Sequence, residues 1–103
     1  MLNKMFFALA DENRRHMLKL LSEQQLTVGA LAQHFDMTLA TVSKNIKILE
    51  QGKLIYKVKS GRQVVCHMNY DTWLEVAKFV SMFAQFWNNR LDELENYIGK
   101  LEP

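Results

Sequence analysis

Residues Leu26–Arg62 read LTVGALAQHFDMTLATVSKNIKILEQGKLIYKVKSGR, and their punctuation decides the fold. Thr27 can cap a short helix over about Val28–His34, with Leu31 and Ala32 facing inward. Asp36 and Met37 make a turn. Thr38 then caps a second helix that ends near Glu50, and Gly52 supplies a permissive backbone just past it. Leu54–Lys59 and Gln63–Met68 alternate as strands, with Ser60-Gly61 as the short-hairpin signal between them. The stretch is therefore helix, turn, helix and a charged hairpin.

Towards the N-terminus, Leu2, Met5, Phe6 and Leu9 fall at i, i+3, i+4 and i+7, one face of a first helix. Asp11 ends it and caps the next, about Glu12–Ser22, which should bury Met17, Leu20 and Leu21. Gln24 and Gln25 make a polar loop. Thr72 with Glu75 forms a capping box for a long last helix that continues to about Gly99. The expected fold class is mainly α with a small β-hairpin, in the order α-α-α-α-β-β-α. One domain covers residues 1–103: a helix-turn-helix over about 28–50, a hairpin wing over about 54–68, and a last helix over about 72–99.

A chain of 103 residues holds one modest core, and a 49% hydrophobic fraction is ample to fold it. The single cysteine, Cys66, excludes an intrachain disulfide and suits a reducing compartment. Ala8 and Ala10 mimic a signal-cleavage pattern, but the apolar run Met5–Ala10 is short and Asp11 follows at once. No stretch reaches the roughly 18 uncharged residues of a membrane span. A soluble, cytoplasmic protein with no membrane partner is expected. Net charge is only +2, yet Thr38–Arg62 holds six basic residues (Lys44, Lys47, Lys53, Lys57, Lys59, Arg62) against Glu50 alone. Residues 63–103 hold six acidic and three basic residues. A basic patch opposite an acidic tail favours oriented binding to a polyanion.

On the helix after the turn, Val42, Ile46 and Leu49 share one side, and Ala40, Ser43, Lys44 and Lys47 share another. The second face suits a DNA major groove, which admits a helix whose leading residues are short. Leu39, Ala40 and Thr41 could touch thymine methyls there, Ser43 and Lys44 base edges, and Lys47 a phosphate, with the capping Thr38 counted among the DNA-binding residues. Taken alone, the helix is equally consistent with an ordinary solvated surface. The hairpin tips the balance, because Lys57, Lys59 and Arg62 gather about its turn, where backbone phosphates would lie.

ALADENRRHMLKLL, then LTVGALAQHFDMTLATVSKNIKILEQGKLI, then Gly61-Arg62 of the wing, resemble the ArsR-type winged-helix repressors from Phe7 to about Ile98. The resemblance implies that Thr38–Glu50 enters the major groove and that Lys57–Val65 acts as the wing. Asn45 stands where the family usually carries histidine, so altered fine specificity is expected rather than lost binding. Many ArsR-type proteins sense metals, but the segment corresponding to their cysteine-rich helix, Ala30–Asp36, has no cysteine. Thr72–Pro103 has no histidine. His16, His34 and His67 fall in different elements without ligand spacing, and adjacent Cys66 and His67 point to opposite faces of a strand. No metal or other cofactor is expected, and Cys66 reads as a small apolar strand residue.

Trp73, Ala77, Val80, Ala84, Trp87, Leu91, Leu94, Ile98 and Leu101 step by alternating four and three, an a/d stripe of about four heptads. Val76, Phe79, Phe83 and Phe86 widen it. Such a face can pack on the first two helices, but two apolar rows exceed what one small domain covers. A homodimer interface is expected, formed by the stripe together with Leu2, Met5 and Phe6 of the first helix. The resemblance implies the same pairing of first and last helices, and FWNNRLDELENYI resembles the metal-independent, often autoregulatory branch of the family. Two functions follow: a homodimeric repressor on an inverted-repeat operator, or a winged-helix adaptor whose apolar last helix docks another protein. An unidentified small-molecule or protein effector stays open. No Gly-rich phosphate loop, nucleophile elbow or His/carboxylate cluster points to an enzyme.

Overall fold

The computed structural model describes residues 2–101. The elements are α1 (Leu2–Leu9), α2 (Glu12–Glu23), β1 (Leu26–Thr27), α3 (Val28–Ala32), α4 (Leu39–Gln51), β2 (Ile55–Ser60), β3 (Gln63–Met68) and α5 (Tyr70–Leu101). They form two compact units, one up to Thr72 and one from Trp73 onward.

In the first unit each helix starts where a side chain can satisfy an orphan backbone amide. Asp11 accepts from the Arg14 amide, Thr27 from Ala30 and Thr38 from Thr41. Helix α3 is shorter than expected, closing at Ala32, and residues 33–37 make the turn into α4. The core draws Met5 and Ala8 from α1, Met17, Leu18 and Leu21 from α2, Leu31 from α3, and Val42, Ile46 and Leu49 from α4. On α2 it is Leu18, not Leu20, that is buried beside Met17 and Leu21; Leu20 is half-exposed. Leu54, Ile55 and Cys66 close the core from the sheet side.

The sheet has three antiparallel strands in the order β1-β3-β2, one more than the expected hairpin. Leu26 pairs with Cys66 and Thr27 with Val65, so the residues leading into α3 are tied to the wing's inner strand. In the hairpin Ser60 pairs with Gln63, which leaves Gly61 and Arg62 as the two loop residues. Gly61 takes φ 62°, the left-handed conformation that glycine adopts without steric cost.

Gly52 has a different reason from the one expected. Its backbone is right-handed, at φ −77°, and the left-handed residue beyond α4 is Lys53, at φ 58°. A Cβ on Gly52 would stand 3.0 Å from the carbonyl oxygen of Lys4 and 3.4 Å from the Ala8 Cβ. Glycine is therefore needed for the close approach of α1 to the end of α4 rather than for backbone freedom.

Helix α5 starts at Tyr70, two residues before the expected cap, so Thr72 lies buried in its first turn. Along the helix Phe79 and Phe83 meet edge to face at 5.1 Å, as do Phe86 and Trp87 at 5.9 Å. Arg90 lies 5.0 Å over the Phe86 ring. Among the described residues no helix is long and apolar enough to cross a membrane.

Candidate nucleic-acid interface

Helix α4 presents two chemically distinct sides. Val42, Ile46 and Leu49 are fully buried, while Leu39, Ala40, Thr41, Ser43, Lys44 and Lys47 are exposed. Leu39 is 60% exposed although it opens the helix, an apolar side chain held out into solvent. Thr38 accepts the Thr41 amide at 3.2 Å, and the two hydroxyl oxygens lie 2.9 Å apart. These bonds fix the first turn, where a groove-binding helix carries its base-reading residues.

The wing stands beside this helix. Lys57 pairs with Cys66 and Lys59 with Val64, so both lysines share the strand face that carries buried Ile55 and Cys66. Tyr56 and Val58 occupy the other face, where Tyr56 stacks on its cross-strand partner His67 at 5.0 Å. A cleft of about 470 Å³ opens between α4, the start of α3 and the wing. Leu39 and Ser43 line it from the helix, Lys57 and Arg62 from the hairpin, and Gln63 and Val64 from β3.

The structure thus brings Leu39, Ser43, Lys57 and Arg62 to one cleft, while Lys44 and Lys47 lie outside its lining, exposed on α4. Lys59 is exposed on β2. Lys57 is engaged within the protein: its Nζ lies 3.3 Å from Glu50 Oε1 at the end of α4. At about a third exposure this pair contributes little stability, of order 0–1 kcal/mol. It holds the wing's base to the helix. Gln63 and Gly29 line the same cleft and were not expected there; their signal is only their position beside Arg62 and Val28.

Asn45 is engaged within the protein. Its side chain is half-buried and its Oδ1 accepts a hydrogen bond at 3.2 Å from Nη1 of Arg14. Asn45 is thereby turned toward the protein rather than outward with Ser43 and Lys44. Arg14, only 9% exposed, also donates from Nε to Ala8 O at 2.8 Å and from Nη2 to Phe7 O at 2.9 Å. Nothing in the residue order marks Arg14, because an arginine on a polar helix stretch gives no sign of its burial.

The residues expected at a dimer contact divide. Met5 is 0% exposed, packed into the core of its own chain, so it has no surface to offer a partner. Leu2 and Phe6 remain partly exposed. On α5, Ala77, Val80, Ala84, Trp87, Leu91 and Leu94 are exposed, and Trp73 is half-buried. Met82, Phe83, Phe86 and Trp87 line an apolar hollow of about 450 Å³ on that helix.

Cys66 is fully buried, and burial pushes its thiol above the ordinary value. The Lys57 ammonium opposes that shift, and the Glu50 carboxylate adds to it. The thiol therefore stays neutral at pH 7, and raising the pH past the ordinary thiol range weakens the fold, because the unfolded chain releases a proton that the folded one keeps. A thiol-specific reagent should label native protein at least about tenfold more slowly than protein in denaturant. Equal rates would show that Cys66 is accessible. Among the described residues no three His, Cys, Asp or Glu side chains gather where a metal ion could be held. His16 packs edge to face on Phe35 at 4.9 Å, and His67 stacks on Tyr56.

The profile of a family described as "Helix-turn-helix domain" matches residues 9–58. Over 90 residues the chain is 31% identical to the transcriptional repressor SdpR of Bacillus subtilis (strain 168), covering 87% of this chain and 100% of that protein. It is similar to the crystal structure of an ArsR family transcriptional regulator, with 36% identity and a TM-score of 0.76 over 84% of this chain and 90% of that one. A homodimeric winged helix-turn-helix DNA-binding domain from Mycobacterium bovis shares the fold at 24% identity, with a TM-score of 0.65 over 89% and 82% of the two chains.

Proposed function

The chain belongs to the ArsR-type winged helix-turn-helix transcriptional regulators, and from that premise we propose that it is a homodimeric repressor of an inverted-repeat operator that needs no metal. Helix α4 enters the major groove with Leu39, Ala40, Thr41, Ser43 and Lys44 toward base edges. Lys47, Lys59 and Arg62 neutralise flanking phosphates, and Thr38 fixes the leading turn. Lys57 adds positive charge at the base of the wing while keeping its tie to Glu50. The observation that carries this reading is the two-sided α4, with a fully buried aliphatic face opposite an exposed face of small and basic groups.

Dimerisation falls to the exposed apolar face of α5, with Leu2 and Phe6 of α1 as further contacts. A relative of the same fold is homodimeric, which supports the assignment. Independence from metal rests on the dispersal of the histidines, two of which pack against aromatic rings. A regulator of this kind works in the cytoplasm, on the nucleoid, and performs no catalysis.

Salt provides the test. Each phosphate neutralised adds about 0.9 to the slope of log affinity against log salt, so DNA binding should fall steeply between low and moderate salt. Lys44→Ala and Arg62→Ala should each weaken operator binding by about 1 kcal/mol or more, and only Lys44→Ala should change base preference. The readout is fluorescence anisotropy on operator and scrambled duplexes. Salt-insensitive behaviour, with neither substitution mattering, would favour a protein-docking adaptor that uses the apolar hollow of α5.

A further inference from the structure

We propose that Arg14 and Asn45 form a positioning pair that fixes the recognition helix against α1, so that discrimination between DNA sequences depends on a contact that does not touch DNA. The proposal rests on the DNA-reading function of α4 given above.

Arg14 is one of two polar or charged residues buried among those described. Its guanidinium divides its donors between two elements. Nε and Nη2 reach the carbonyls of Ala8 and Phe7, in the last turn of α1. Phe7 O also accepts the Ala10 amide at 3.2 Å, but carbonyls at a helix end keep acceptor capacity and carry the negative end of its dipole, so a buried cation is well placed among them. The ring of Phe7, at 5.3 Å, covers the group. Nη1 turns the other way, to Asn45 of α4. A planar fork with donors on separate edges fixes both distance and orientation, which a lysine ammonium does not.

Asn45 is half-buried and occupies the flank of α4 between exposed Lys44 and buried Ile46. Successive residues on a helix are rotated by roughly 100°, so a small roll about this flank redirects Ser43 and Lys44 relative to a groove. The bond to Asn45 is not required to satisfy α1, whose two carbonyls are served by other atoms of the same guanidinium. Its consequence is confined to the attitude of α4. A second point of close approach, Gly52 against Lys4 O, holds the far end of the same helix to α1. With its middle tied through Arg14 and its C-terminal end close against α1, α4 has a defined attitude before it meets DNA.

The test is a double-mutant cycle with Asn45→Ala and Arg14→Lys in the full-length protein. An operator duplex is first selected from random DNA with the unaltered protein. Each variant is then measured on that duplex and on a scrambled one, with melting temperature and oligomeric state recorded. Asn45→Ala and Arg14→Lys should each lower the operator-over-scrambled ratio about tenfold, the double variant should lose no more than the worse single, and scrambled-DNA binding should hold within about twofold. The loss should spread over the whole half-site. Additive losses, or a preference change confined to one base pair under Asn45→Ala, would mean that Asn45 touches DNA itself and would overturn the pairing. A lowered melting temperature with an unchanged ratio would overturn it as well, leaving Arg14 a purely structural role. If the unaltered protein selected no operator, the DNA reading would fall and the pair's role with it, a result distinct from both.

Discussion

Placing two glutamates on the apolar face of α5, as Ala84→Glu with Trp87→Glu, should yield monomers whose operator affinity falls by about 10²–10⁴. The expectation starts from exposure. Trp87 is 61% exposed in the protomer, and Met82, Phe83, Phe86, Leu91 and Leu94 are exposed on the same helix. Monomeric soluble proteins rarely present contiguous apolar patches beyond a few hundred Å². A symmetric partner offering the same face would cover it, and carboxylates set within such a contact would be desolvated without counter-charges. Losing the dimer turns two linked half-site contacts into two independent ones, which is the source of the large factor. Sedimentation and gel-shift measurements on the double variant read both effects. A dimer of unchanged affinity would remove α5 from the interface.

Leu49→Ala should cost about 2–5 kcal/mol of folding stability, a large share of the roughly 5–15 kcal/mol that a domain possesses. Leu49 is fully buried on the inner side of α4, and its carbonyl accepts the Leu54 amide at 3.1 Å where the chain turns toward β2. Truncation would leave a cavity beneath α4 that the neighbouring core side chains could fill only in part. Urea titration followed by far-ultraviolet circular dichroism should show a lower midpoint at unchanged slope. A loss below about 1 kcal/mol would mean that α4 is not packed through this face.

Most of this architecture is legible in residue order because it is set locally. Asp11, Thr27 and Thr38 each cap the helix that follows, since a short oxygen-bearing side chain there meets an amide three residues on. The alternation of Val42, Ile46 and Leu49 with Ser43, Lys44 and Lys47 separates the inner from the outer side of α4 in the sequence and in the fold. The β2–β3 hairpin is marked by its strands and by Gly61.

What escaped the sequence depends on distant partners. Strand β1 has two residues, too few to show any alternation, and Thr27 serves at once as strand end and helix cap. Gly52 looks like a helix terminator, yet its small size answers to the Lys4 carbonyl nearly fifty positions earlier. Arg14 and Asn45, 31 residues apart in the chain, both look like solvent residues until α2 and α4 are brought together. Met5 belongs to the same periodic face as Leu2 and Phe6, but periodicity does not say which member of a stripe the protein's own core takes. Here the core of the same chain takes Met5.

On the proposed function, α4 reads a DNA major groove twice, through a dimer. Hydroxyl-radical footprinting of the protein on its selected operator, combined with methylation interference, tests it most directly. Two protected half-sites in inverted orientation are expected, their centres about 34–36 Å (one turn of DNA) or a multiple of that apart, with major-groove interference inside each. A single protected half-site, or protection without any register on the sequence, would contradict it.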